Sequence, residues 1–215
     1  MTNHTARMAA LLGELRREMN GAVAESMQRG EGGYGLNYGV SIPAIRAIAG
    51  RVGTDHAFAR FLYRQDVREL RMAALTIADP VSVTPDNVDE WFVGRMPEEL
   101  IEELALRLLS RCGRPVLDTL CGRWLRAGSG AERYAALMAL ARARVREFDA
   151  AAVVEAVPDA VAACPDDLRL ARGAAAFVQS ASARIAPERL ARMIERLPDS
   201  RGGAYLRDEL AWMIL

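Results

Sequence analysis

Apolar residues recur along this chain at the three- and four-residue steps that place them on one face of a helix. Leu100, Leu104 and Leu108 form one such stripe, Leu137 and Leu140 another, and Leu190, Ile194 and Leu197 a third. No run of alternating β-branched residues interrupts them, so the pattern predicts helices throughout. Helix starts are marked as well. Thr84-Pro85-Asp86 reads as an N-cap, a proline in the first turn and an acid at the positive end of the helix dipole; Pro97-Glu98-Glu99, Pro165-Asp166-Asp167 and Pro187-Glu188 repeat the device. A first helix is expected over Thr5 to Gln28, bent at Asn20-Gly21, and the glycine-rich stretch from Gly30 to Gly39 links it to the next.

Three segments share an Arg-x-Ala-Ala core inside an apolar helical pattern: Arg71-Met72-Ala73-Ala74, Arg133-Tyr134-Ala135-Ala136 and Arg172-Gly173-Ala174-Ala175. They begin 62 and 39 residues apart. The longer interval holds two units of roughly 31 residues, with Leu104-Ala105-Leu106 near its midpoint, and such a period suits stacked helix pairs. The expected fold is therefore all-α, a HEAT-like alpha-alpha superhelix, meaning a curved solenoid of antiparallel helix pairs. It is read as a single domain over 1–215, with the N-terminal helix and Gly-rich connection in 1–40 and the stacked pairs in 41–215. Paired small residues let neighbouring helices approach closely, and the arginine beside them is expected along the inner surface.

Composition narrows the picture further. The chain is 51% hydrophobic but only 6% aromatic, which suits close-packed Ala- and Leu-rich helices and argues against disorder of the whole. No stretch approaches the roughly 18 apolar residues of a membrane span, and Arg7, Arg16, Arg17 and Glu18 break the first helix too early for a secretory signal. A cytoplasmic protein without a membrane partner is expected. Cys112, Cys121 and Cys164 form no C-x-x-C pair and leave an odd thiol, as a reducing compartment would allow.

The charge is balanced, with 28 basic and 28 acidic residues, so any affinity for nucleic acid must come from placement rather than total charge. All the basic residues are arginines, whose planar fork binds carboxylate or phosphate. Arg142 and Arg146 lie four apart on one helix face with Arg144 beside them, an arrangement that fits either successive phosphates or the negative end of a helix. The repeat sets Arg71, Arg133 and Arg172 at equivalent positions, and a row of guanidinium groups suits a DNA backbone or an acidic protein partner.

Other chemistry finds little support. Gly33-x-Gly35-x-x-x-Gly39 lacks the dinucleotide spacing and a preceding strand, which leaves it a linker. His4 and His56 share no short motif with a cysteine, so no metal site is expected. Glu98-Glu99 and Glu102-Glu103 follow a proline at a helix start and read as a solvated acidic face. No Ser-His-Asp or Cys-His arrangement can be assembled.

Two stretches, Tyr38-Gly39-Val40-Ser41-Ile42-Pro43-Ala44-Ile45-Arg46-Ala47-Ile48-Ala49 and Arg68-Glu69-Leu70-Arg71-Met72-Ala73-Ala74-Leu75, resemble the opening HEAT-like units of the DNA alkylation repair family. The resemblance continues through Trp124, Glu132-Arg133-Tyr134-Ala135-Ala136-Leu137 and Leu170-Ala171-Arg172-Gly173-Ala174-Ala175, covering Tyr34 to about Gln179. It implies a basic surface for duplex DNA and, in active members, removal of N3- or N7-alkylated purines without metal or cofactor. In those members aromatic side chains contact the DNA and a carboxylate lies near the deoxyribose, where it stabilises a developing sugar cation.

Carried over by residue, the resemblance is partial. Trp91 matches the first site tryptophan and Arg133 the site arginine, but Arg95 stands where the aspartate is expected and Ala176 where the second tryptophan is expected. Asp89 and Glu90 are the nearest replacement acids. Three readings follow. The first is a DNA-binding member with weak or lost glycosylase activity, contacting duplex or branched DNA through Trp91, Arg71, Arg133, Arg142, Arg146 and Arg172. The second is an active glycosylase using Asp89 or Glu90. The third is a protein-interaction scaffold in which the same arginines meet acidic side chains.

Overall fold

The computed structural model describes residues 3–29, 33–94, 96–144 and 147–213. Among these the regular structure is helical, apart from one isolated parallel bridge between Leu36 and Val67. None of the described helices is long and apolar enough to cross a membrane. The chain divides into two compact units, one of Met1–Val83 with Asp89–Leu108, the other of Thr84–Val88 with Leu109–Leu215.

In the first unit the expected opening helix is two: α1 (His4–Arg17) and α2 (Gly21–Arg29). The chain breaks at Glu18–Asn20, where the Asn20 side chain accepts from the Val23 N–H and so starts α2. The fixed approach of the following loop explains the break. Gly39 sits at φ 67°, and a Cβ there would lie 2.2 Å from the Asn20 carbonyl oxygen. Only glycine fits that position.

The helices α3 (Ile42–Val52) and α4 (His56–Tyr63) both pack on α5 (Arg68–Ile77). Ser41 and Asp55 cap the first two, accepting from the Ala44 and Phe58 N–H groups. On the other side of α5 lie α6 (Glu98–Glu103) and the π-helical segment Leu104–Leu108 that continues it. The acids here are not simply a solvated face. Glu103, with a side chain 5% exposed, pairs with Arg46, and Glu99 pairs with Arg68, so two of the four carboxylates are internal fasteners. The first-turn position explains why they begin a helix, and the arginines on neighbouring helices explain why they are buried.

The second unit begins with the Thr84–Asn87 turn, where the sequence suggested a helix start. The Thr84 N–H donates to the Asn87 side chain at 2.8 Å and closes the segment into a turn ahead of a short 3-10 helix, Val88–Trp91. Then come α7 (Arg114–Thr119), a second π-helical segment (Leu120–Trp124) and α8 (Leu125–Ala127). They are followed by α9 (Gly130–Ala141), α10 (Ala150–Ala162), α11 (Leu168–Ala181), α12 (Pro187–Glu195) and α13 (Arg201–Leu210). Within this unit α9, α11 and α13 pack side by side, while α10 packs on α8 and α12. That is the alternation expected of helix-pair repeats.

The repeated small residues do allow close approach. A Cβ added at Gly173 of α11 would lie 2.7 Å from the Tyr134 ring of α9, so these two Arg-x-Ala-Ala helices meet where the motif places a glycine.

Candidate nucleic-acid interface

The three motif arginines occupy three environments. Arg71 has a side chain 12% exposed and pairs with Asp66 at 3.1 Å. Arg133 is buried, donating from Nη2 to the Arg126 carbonyl at 3.0 Å and from Nη1 to the Ala160 carbonyl at 3.4 Å. It thereby ties together carbonyls from the last turns of α8 and α10, where cations are favoured. Only Arg172, on α11, is exposed. A shared position in the motif therefore does not make a shared surface. Packing decides the outcome, because α9 has neighbours on the side where Arg133 projects.

Arginines in the second unit gather elsewhere. The capping box of Ser129 and Glu132 sets the start of α9, and the helix ends at Arg142, whose guanidinium lies 3.5 Å from the Met138 carbonyl. Two residues on, the Arg144 N–H donates to the Ser110 carbonyl at 2.9 Å. This one bond joins the end of α9 to the 3-10 turn Leu109–Arg111. Exposed Arg111, Arg142 and Arg144 are thus brought onto adjoining stretches of backbone. Arg114 follows on α7, held by Asp118 at 3.4 Å. Arg146 lies outside the described residues. Arg111 was not legible in the sequence, since it stands 31 residues before Arg142 and no local pattern joins them.

The residues matched to a glycosylase site are differently disposed. Trp91 is 2% exposed. Its carbonyl accepts from the Tyr63 hydroxyl at 2.7 Å, and its ring lies 5.0 Å from that of Tyr63 and 5.6 Å from that of His56. Burial pushes the Tyr63 phenol well above its ordinary value, which keeps it a donor. The tryptophan face expected to meet DNA is therefore packed inside the first unit. Glu90 pairs with Arg60 and lies 4.0 Å from Arg64, while Asp89 is exposed. Ala176 is half-buried on α11, and Arg95 lies outside the described residues.

Burial, with Asp118 and Asp149 nearby, pushes the Cys121 thiol up to about 12, so it is no nucleophile at neutral pH. Among the described residues no three His, Cys, Asp or Glu side chains come together to hold a metal ion.

The two stretches that carried the family resemblance meet in the first unit. Glu69 accepts from the Tyr38 and Val40 N–H groups at 3.1 and 3.3 Å, and Arg68 donates to the Val40 carbonyl at 2.8 Å. Together they anchor the loop before α3 to the start of α5.

Comparison with known proteins agrees with this arrangement. The family model described as DNA alkylation repair enzyme matches residues 11–105. No curated protein matches the chain. A solved structure described as "A new family of proteins related to the HEAT-like repeat DNA glycosylases with affinity for branched DNA structures" is 16% identical, covers 96% of this chain and 95% of its own, and superposes with a TM-score of 0.69. At that identity the likeness shows the fold, a HEAT-like helical repeat. Over residues 11–105 the chain carries the sequence pattern of the DNA alkylation repair enzymes, as the stretches Tyr38–Ala49 and Arg68–Leu75 imply.

Proposed function

We propose that this protein binds duplex or branched DNA through backbone phosphates and has weak or no glycosylase activity. The observation that carries the reading is the Arg144–Ser110 bond, which gathers Arg111, Arg142 and Arg144 on the second unit. Guanidinium groups so placed suit phosphates through their planar forks. Arg146 and exposed Arg172 extend the set, and Arg71 joins it from the first unit. Arg133 and Trp91 support folding instead. The family match and the branched-DNA affinity described for the similar structure favour DNA over an acidic protein as the partner.

Weak or lost excision is supported by three features. Trp91 is enclosed, Glu90 is engaged by Arg60, and the sequence has arginine at 95 and alanine at 176. A cation beside a developing oxocarbenium ion raises the barrier that an anion lowers, and about 1.4 kcal/mol already costs tenfold in rate.

The test is binding to duplex and branched DNA at two salt concentrations, with free 3-methyladenine and 7-methylguanine measured in parallel on methylated DNA. Binding is expected to fall with salt at a log–log slope of about −0.9 per phosphate contacted, without release of base above the no-protein control. Absence of binding at low salt would remove the DNA reading and favour an acidic protein partner. Base release that disappears in Asp89→Asn or Glu90→Gln would make the chain an enzyme.

A further inference from the structure

The first unit contains a cavity of about 500 Å³ that the DNA reading leaves unused. Tyr34, Asn37, Glu98 and Glu99 line its polar side, and Met27 and Pro97 lie on its apolar side. The volume falls within the roughly 300–1,000 Å³ of small-molecule sites.

Its polar groups are almost all acceptors. Asn37 is 8% exposed, yet its side-chain carbonyl oxygen has no hydrogen-bond partner, and the buried Tyr34 hydroxyl has none either. Buried polar atoms are ordinarily paired, so an orphan carbonyl beside a cavity points to a donor that the chain does not supply. The charge has the matching sign. Glu98 and Glu99 line the cavity, and Glu69 lies behind them, fully buried.

Arg68 is the guanidinium set among these carboxylates, and its donors are engaged. Nε and Nη2 serve Glu99, while Nη1 serves the Val40 carbonyl and Glu69. Three carboxylates around one guanidinium leave a negative site. Burial first, and Glu99 beside it second, push the Tyr34 phenol far above its ordinary value, so no anion forms there and its oxygen keeps an acceptor lone pair.

We propose that this cavity binds a small organic cation, a guanidinium or primary ammonium compound, through Glu98, Glu99 and the Asn37 carbonyl, with its carbon chain against Met27 and Pro97. An anion would meet the carboxylates and find the donors of Arg68 taken. A neutral amide of the same shape would satisfy Asn37 but gain nothing from the charge. The free compound and an arginine side chain presented by another protein share this chemistry.

Calorimetric titration of the full chain with n-butylguanidinium, and with n-butylurea as its neutral isostere, tests the proposal. The cation should bind and the urea should bind about tenfold more weakly or not at all, because charge-assisted hydrogen bonds are roughly twice as strong as neutral ones. Asn37→Leu and Glu98→Gln should each weaken the cation several-fold. If Asn37→Leu fails to fold, Glu98→Gln decides. A blocked Gly-Arg-Gly peptide that binds more tightly than the free cation would identify a partner's arginine as the source; the reverse would identify a free small molecule. Equal affinity for cation and urea would overturn the proposal, as would no binding of either cationic probe, or binding that the variants leave unchanged. Since no DNA is used, failure here is separate from failure of the DNA reading.

Discussion

Arg68 grips Glu99 through Nε and Nη2 at 2.7 and 2.8 Å, a two-pronged contact between residues 31 positions apart. The arginine side chain is 2% exposed, and the same guanidinium also reaches Glu69 at 3.1 Å. The pair fixes α6 to α5. Replacing the cation alone would leave Glu69 buried with its charge uncompensated. Arg68→Met should therefore lower stability by about 3–5 kcal/mol in chemical denaturation, the usual cost of breaking one side of a buried pair. A loss below about 1 kcal/mol would mean that the carboxylates find other partners.

For Arg133 the expected loss is in folding rather than recognition. Arg133→Ala leaves the Arg126 and Ala160 carbonyls without their donor, and a buried group left unpaired costs about 1–3 kcal/mol. Denaturation should show that loss, while DNA affinity per folded molecule stays at the wild-type value. Weakened binding with unchanged stability would return Arg133 to the surface.

Gly173→Ala should destabilise by about 1–3 kcal/mol, the cost of overfilling a packed interface. The new methyl would lie 2.7 Å from the Tyr134 ring, which is 3% exposed and has no room to swing away. Combining it with Tyr134→Leu should recover part of the stability. A neutral Gly173→Ala, read from the same melting curves, would show that α9 and α11 separate readily.

Two helix caps set the response to acid. At Asp55 the Phe58 N–H and then the Arg7 side chain hold the carboxyl below its ordinary range. At Asp167 burial pushes upward, but the Arg169 side chain and the Leu170 N–H outweigh it. Both carboxylates bind protons less readily folded than unfolded. Their contribution is complete above the ordinary value of about 4 and is lost as pH falls through the lower native values. Asp55→Asn and Asp167→Asn keep a capping side chain but remove the charge. Each variant should be less stable than wild type at pH 6, with the gap closing below about pH 4. A gap unchanged down to pH 2 would exclude these two groups as the cause.

If Arg142 and Arg144 both contact phosphates, the double variant Arg142→Ala/Arg144→Ala should reduce the salt slope of DNA binding by about 1.8, twice the 0.9 per contact. Folding should change little, because both side chains are exposed. An unchanged slope in the double variant would move the interface away from the end of α9.

Much of the helical fold was legible because its determinants are local. Pro97 and Pro187 start helices where the sequence put them, and Asp167 caps α11. The glycine in the third Arg-x-Ala-Ala segment marked a close helix contact. What was not legible depends on partners far along the chain. Thr84-Pro85-Asp86 has the composition of a helix start, yet the Asn87 side chain closes it as a turn. Trp91 carries an aromatic face in any alignment, but Tyr63 and His56 determine that it is buried. Arg133 and Arg172 share a motif, and only the helices around them separate a fastener from a surface charge. The grouping of Arg111 with Arg144 rests on one backbone bond.

The segments Leu104–Leu108 and Leu120–Trp124 wind as π-helix, each running straight on from an α-helix. A π turn takes up about one residue more than an α turn, so each is an extra residue absorbed inside a helix instead of a loop. Deleting one residue from either segment would restore ordinary winding and rotate everything downstream in that helix by about 100°. Leu109 and Leu125, now fully buried, directly follow the two segments and would be swung out of the interior. Two chains of identical composition that differ by one residue at these points would present different faces. Angular phase along the helix, as much as residue type, decides what this protein shows to its surroundings.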